Sequence, residues 1–488
     1  MMETKTGKEE FLGMLCNIYL IFLMAIFPLY TKGTYYMLGD TKYFLFRKIS
    51  LLCVGIWLIL DGVLLFRRKC SMVDICMLSY GACVVVSAVC SNFRDTAWTG
   101  YRDWYMGAVS QLLFVGIYFL VSREYHGNSL PVYLGETALF FVTLIGFCQR
   151  LGGNPLGLLT GYTTRDWTYS HMLSTLGNIN WLCGFYSVML AFPMAGYLYS
   201  NKPRKKILLY IVSILGLTML CIQGSDSGPV LAIAGIGICL LSSVNKPERF
   251  RRALLLAVGI LVLFPLNGQL ITRLGTQAAT PVDGDIYAKM LWKGWWILAL
   301  LGGVITAILY RVSGKLQLLI IKRLMVGVVL LVCTAACFIL LRWSSIPFDS
   351  WGSNRGELWQ MAIDSFVQGD WKQKLIGAGP DCYAEYLMSV GVSPTTSIEG
   401  HWSGAVYANA HNEWLTNLVN LGLLGTAAYL GIFASSLKRY RGMLLGLLAL
   451  GMYGLHSLVS FQQVLNTPFL FLVLGICENR LRLTEDSI

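Results

Sequence analysis

The residues best suited to chemistry in this 488-residue chain lie in one polar interval, Trp343 to Leu415. It carries Asn354-Arg355-Gly356-Glu357-Leu358-Trp359, then Gly377-Ala378-Gly379-Pro380, then Ala410-His411-Asn412-Glu413. An imidazole at a helix start tends to stay neutral, because the positive end of the helix dipole disfavours imidazolium. A neutral imidazole can accept a proton, as a general base must. An Arg offers a planar fork that matches phosphate. Together they suit attack on a sugar carried by a diphosphate: the base deprotonates an acceptor hydroxyl while the Arg steadies the leaving group. Each residue also has a plainer reading. A His near a helix start is often a cap or interface residue, an outer-loop Arg a solvated charge or lipid-headgroup contact, and a Gly-rich turn a simple connection. What sets these residues apart is their order within one segment.

That segment has its own elements. Leu358, Met361, Ala362, Phe366 and Val367 repeat at near-helical spacing, which predicts an amphipathic helix from Arg355 to Gln368. Ser353 is a suitable N-cap, and Arg355 and Trp359 then share a face. Gly377, Gly379 and Pro380 break the chain and allow a close backbone approach. A second short helix is expected from Asp381 to Val390, followed by loop from Ser393 to Gly404. His411 is expected in the first turn of the next helix, capped by Asn409 or Asn412.

Everything else is apolar. Hydrophobic residues make up 56% of the chain and charged ones only 13%, with a mean hydropathy of +0.60. A soluble domain carries about 25% charged residues, so the expectation is an all-α polytopic membrane protein. Windows of about 20 apolar residues, enough to cross a bilayer as helix, recur along it. Spans are read at 10–30, 49–66, 72–91, 106–122, 133–151, 179–200, 207–223, 228–244, 253–268, 294–311, 324–341, 415–436, 443–460 and 466–478. This gives an N-terminal bundle over 1–341, a large loop over 342–414 and C-terminal helices over 415–488, with about 14 spans in all. Met1 to Glu10 does not read as a signal peptide.

Short loops rich in Lys and Arg set the orientation. They hold Arg67-Arg68-Lys69, Lys202 with Arg204-Lys205-Lys206, Lys246 with Arg249, Arg251 and Arg252, Arg311 with Lys315, Lys322 and Arg323, and Lys438 with Arg439 and Arg441. These alternate with less basic loops and are expected on the cytoplasmic side. Both termini are then inside, and the 342–414 loop is outside a cytoplasmic (inner) membrane. The formal charge of +12 is on this reading a topology signal, and no nucleic-acid partner is expected. The fourteen Cys fall mainly within spans, and Cys382 alone lies in the large loop. No zinc-type spacing, Walker loop or dinucleotide fingerprint is present, so neither metal nor cofactor is expected.

The polar segment resembles the O-antigen ligase and polysaccharide polymerase family of bacterial membrane glycosyltransferases. The resemblance rests on Asn354 to Trp359, on Leu375-Ile376-Gly377-Ala378-Gly379, and on His411-Asn412-Glu413-Trp414-Leu415 with Gly422 and Gly425. Upstream, Thr175 to Trp181 looks like the family's Gly-Asn-x-Asn stretch that opens a helix. Ala97-Trp98-Thr99-Gly100, with Arg102 and Gly107, is similar to an earlier outer loop. The resemblance implies transfer of a glycan from an undecaprenyl-diphosphate carrier on the outer side of the membrane. The acceptor is a second glycan or glycolipid: lipid A core for ligases, another lipid-linked unit for polymerases. Inversion at the anomeric carbon, without metal or nucleotide, is implied. By this likeness His411 matches the catalytic His and Arg355 an Arg near the donor diphosphate. Asn412, Glu357, Gly377, Gly379 and Asn178 fall in the matching stretches and are candidate substrate contacts.

One stretch departs from the family. Gly224-Ser225-Asp226-Ser227-Gly228 stands where members carry a short outer turn of the form Ser-Arg-Ser/Gly. Asp226 takes the Arg position, and an acid there repels a diphosphate. Either Arg165 or Arg273 supplies the missing charge, or the donor binds differently; Asp226 is alternatively an N-cap. A flippase or transporter for lipid-linked oligosaccharides is the second reading of the whole chain, although no internal repeat of the kind transporters carry stands out. A non-catalytic partner in a glycan-assembly complex is the third.

Overall fold

The computed structural model describes residues 7–62, 69–163, 166–225, 227–274, 291–311, 355–395 and 406–485. Among them the chain is almost wholly helical, and the one sheet is the two-stranded pairing of Met172–Leu173 with Gly177–Asn178. Among the described residues, eight helices are long and apolar enough to cross a membrane: Gly7–Leu29, Tyr35–Asp61, Met72–Cys90, Leu130–Arg150, Ile179–Tyr199, Pro203–Ile222, Pro247–Arg273 and Glu413–Arg439. Ser227–Ser243, Gly294–Leu309 and Leu444–Ser457 are apolar but shorter. The chain is an all-α membrane protein.

Most expected spans meet a described helix, with shifted ends. The span expected at 49–66 is displaced most: its helix begins at Leu38 and runs to Asp61. Lys42 and Arg47 hid that start, because charged residues depress a hydropathy window even when one of them is buried. Lys42 is fully buried, and its ammonium donates to the Phe27 and Pro28 carbonyls at 2.8 and 2.9 Å. Those carbonyls end the first helix and have no intrahelical partner. The span expected at 324–341 lies outside the described residues.

Burial on the spans is the reverse of a soluble helix. Leu51, Leu52 and Ile59 are exposed, while Ser50 and Trp57 on the same helix are buried. Ser50 shares a hydrogen bond with Tyr19 (2.7 Å) and Trp57 donates to Glu124 (3.2 Å). Apolar exteriors fit lipid, and interior polar groups are paired because hydrocarbon offers them no partner.

The residues group into two compact units. One comprises Met1–Lys32, Met37–Gly135 and Phe348–Ile488; the other comprises Gly33–Tyr36 and Glu136–Pro347. In the first, the Thr467–Glu485 helix packs on Ala108–Glu124, and Glu413–Arg439 packs on Met72–Cys90. In the second, Pro203–Ile222 packs against Ala191–Tyr199 and Pro247–Leu274.

Candidate functional site

The described residues of the polar segment in the first unit include three short helices, Gly356–Gln368, Trp371–Ile376 and Tyr383–Ser389. The first matches the expected amphipathic helix, with Arg355 at its N-cap position and no side-chain cap; Ser353 lies outside the described residues. The second was not foreseen. Asp370 and Gln373 form a reciprocal capping box around its start, a signal legible as Asp-x-x-Gln. The third is two residues shorter at its start than expected, because Asp381 has a φ of +61° and cannot begin a helix.

Glycines seat this segment on the Glu413–Arg439 helix. Ala378 and Gly379 donate their N–H groups to the Val419 and Asn420 carbonyls at 3.0 and 2.9 Å. A Cβ on Gly377 would strike the Asn420 backbone, and one on Gly422 would strike Leu375. Gly422 also breaks the helix, with a φ of +65°. The space beside Gly377 and Gly379 is therefore filled by protein.

Asp381 joins this segment to the earlier loop. Its Oδ2 accepts from the Tyr101 and Met106 N–H groups at 2.7 and 2.8 Å. Burial is the main cause that pushes its carboxyl up to about 7, opposed by those two N–H groups and aided by Glu385.

His411 stands outside the helix expected to contain it. The helix begins at Glu413, and Asn412 is the N-cap, its Oδ1 accepting from Trp414 and Leu415 N–H at 3.0 and 3.1 Å. His411 precedes that cap with a φ of +46°, and its N–H donates to Asn409 Oδ1 at 3.0 Å. Asn409 thus holds the turn while Asn412 caps the helix. The half-buried imidazole sits edge-on to Phe461 (ring centroids 5.0 Å apart) and Tyr407 (6.1 Å), and Phe461 is edge-on to Trp104 (4.7 Å). Burial, and after it the charge of Arg355, lower the imidazole pKa from its ordinary value to about 3. The ring is therefore neutral, and the same lowering weakens it as a proton acceptor, since a base acts best with a pKa near the working pH. Arg355 and His411, distant in sequence, thus act on one another.

Asn409 and Phe461, both neighbours of His411, help to line a polar pocket of about 20 Å³ between the loops and the Glu413–Arg439 helix. Glu413, Asn417 and Asn420 line it, spaced so that they fall on one helix face. The Glu413 carboxylate accepts from the Tyr429 and Tyr453 hydroxyls and from Gln462. The sequence reading missed this stripe and Asp381. The signal was present: ionisable and amide side chains within an otherwise apolar helix default to function.

No protein-family model matches the chain, and no curated protein is significantly similar to it.

The other candidate residues are placed as follows. Glu357 is in the first turn of the Gly356–Gln368 helix and half-buried. Asn178, in the second unit, caps the Ile179–Met189 helix by accepting from Asn180 N–H at 2.8 Å. Arg273 is exposed in the last turn of its helix. Arg165 and Asp226 lie outside the described residues. The sequence reading also passed over Arg150, which is buried and donates to the Gln223 carbonyl beside Gly224. It therefore sets a cation against the turn that follows the Pro203–Ile222 helix.

Proposed function

We propose that this protein is a membrane glycosyltransferase that uses an undecaprenyl-diphosphate-linked glycan at the outer face of the cytoplasmic membrane. What supports the reading is the placement of His411 at the turn just before the Asn412-capped helix, in the same polar segment as Arg355 at the start of the Gly356–Gln368 helix. His411 takes the proton from an acceptor hydroxyl as that oxygen attacks the anomeric carbon. Arg355 stabilises the diphosphate as the glycosyl bond breaks. A guanidinium serves here because its charge is permanent and its fork matches two phosphate oxygens. The acceptor is a glycan or glycolipid, and the product is a lengthened or ligated polysaccharide.

The basic short loops, expected on the cytoplasmic side, support an outer position for 342–414.

The test is the size profile of surface glycan in a host lacking the gene, complemented with wild-type or His411→Ala protein. Collapse of a ladder to single repeat units on deletion identifies a polymerase. Full-length chains retained on the lipid carrier identify a ligase. His411→Ala is expected to restore neither phenotype while reaching the membrane in normal amount. Full rescue removes His411 from the chemistry, and movement of labelled lipid-linked sugar across sealed vesicles then makes the protein a flippase. Arg355→Ala is expected to lower donor use at least about tenfold, with Arg355→Lys recovering only part of it. Unchanged donor kinetics in Arg355→Ala takes Arg355 out of the site.

A further inference from the structure

The pocket lined by Asn409, Asn417, Asn420 and Phe461 contains more polar groups than its surroundings satisfy. Asn417 and Asn420 are each 3% exposed. The Asn417 Nδ2 donor and the Asn420 Oδ1 acceptor, both buried, have no hydrogen-bond partner. Buried polar atoms are almost always paired, so an unpaired donor and acceptor lining one cavity need a common occupant. At about 20 Å³ the cavity takes one group the size of water and excludes a sugar ring. A hydroxyl offers one donor and at least one acceptor, which is what Asn417 and Asn420 lack. The half-buried Trp104, at the same pocket, adds an apolar face, and Phe461 ties that indole to the His411 ring. Amides and carboxylates beside an aromatic face form a set of groups suited to a carbohydrate.

We propose that this pocket is a carbohydrate subsite: it seats a single hydroxyl of a sugar between Asn417 and Asn420, and the sugar ring lies against Trp104. The assignment of that sugar as a reactant rests on the glycosyltransferase reading; the binding does not. A sugar hydroxyl makes there the same two hydrogen bonds that a water molecule would make, so its entry costs none. Asp381 and Glu413 bound the same cavity and have their own donors, so they shape the seat. The pocket therefore sets which sugar is accepted. A site built to hydrogen-bond a hydroxyl rejects an analogue lacking it, because its buried amides are left unpaired.

The test uses saturation-transfer NMR on the full-length protein in lipid nanodiscs, with glucose, galactose, mannose and N-acetylglucosamine as probes. At least one hexose is expected to bind, and one of its monodeoxy analogues to bind at least tenfold more weakly than the others. Asn417→Asp, which keeps the side-chain shape but replaces the donor, is expected to lose the same preference, with an unchanged thermal midpoint as the control for folding. His411→Ala is expected to keep sugar binding, so loss of transfer in that variant and loss of binding report on different claims. Binding without any transfer activity would leave the subsite standing and overturn the enzyme reading. Absence of binding by all four hexoses, or equal binding of every deoxy analogue, would mean that the pocket holds ordered water only and would overturn the subsite.

Discussion

A single imidazole shows how far environment shifts chemistry. The folded His411 titrates near 3, whereas a free imidazole titrates near 6.5. The imidazole is therefore unprotonated throughout the neutral and mildly acidic range, so its titration is expected to cause no loss of transfer with an apparent pKa near 6.5. A pH–rate profile falling with that midpoint would contradict the assignment. The same shift bears on stability. The unfolded chain protonates His411 below about 6.5 while the folded chain does not, so this residue's contribution is lost as pH falls from there towards 3. Asp381 acts with the opposite sign. Its folded carboxyl titrates near 7, so the folded state retains a proton that the unfolded state releases near 4. Its contribution declines as pH rises from about 4 to 7 and is constant above. Asp381→Asn keeps an oxygen for the Tyr101 and Met106 N–H groups and tolerates the positive φ, so it should remove that decline with little loss of stability. Asp381→Ala should cost at least about 2 kcal/mol by leaving two buried donors unpaired. Thermal midpoints measured across this pH range distinguish the two variants, and equal midpoints would show that the two N–H groups are satisfied some other way.

At the scale of elements, the candidate site depends on backbone packed against backbone. Gly377 and Gly391 both have a φ of +79°, but a Cβ on Gly377 meets the Glu413–Arg439 helix, whereas one on Gly391 meets nothing within 4 Å. Gly391→Ala should cost only the strain of a left-handed L-residue, about 1 kcal/mol. Gly377→Ala adds overpacking against a rigid backbone and should cost about 3 kcal/mol or more. Unfolding midpoints of the two variants in the same detergent provide the comparison. A similar loss in both would show that the helix yields to the added methyl. Because the Gly377 contact holds the segment above Asn417 and Asn420, the Gly377 variant should also weaken sugar binding.

At the scale of the molecule, orientation is the property most directly open to experiment. Cys70 and Cys90 are both exposed and flank the Met72–Cys90 helix. The Cys90 carbonyl accepts from Lys372 at 2.9 Å, so that end of the helix lies beside the polar segment. With 342–414 outside, a membrane-impermeant maleimide applied to intact cells or spheroplasts should label a single-Cys variant retaining Cys90 and spare one retaining Cys70. Permeabilised cells should label both. Labelling of Cys70 alone in intact cells would invert the topology and place His411 in the cytoplasm, where a lipid-linked glycan awaiting export differs from one awaiting assembly.

The sequence by itself determined the class of this protein and the address of its candidate chemistry. Apolar runs long enough for a bilayer cannot be satisfied otherwise than as helices in lipid, so composition and periodicity were sufficient for the all-α membrane fold. The Gly377-x-Gly379 break and the Asn cap before the Glu413 helix were readable for a similar reason: each is a local backbone demand met by local residue types. Sequence distance concealed the rest. Hydropathy cannot distinguish a Lys that ends a span from Lys42, which is buried and caps the preceding helix. Asp381 reads as a helix start until the Tyr101 and Met106 amides are brought to it across the fold. Asn417 and Asn420 read as ordinary polar interruptions until packing leaves one donor and one acceptor unpaired in the same cavity. The action of Arg355 on His411 is likewise a tertiary fact, because a charge influences a pKa through space and the chain between them gives no measure of that distance.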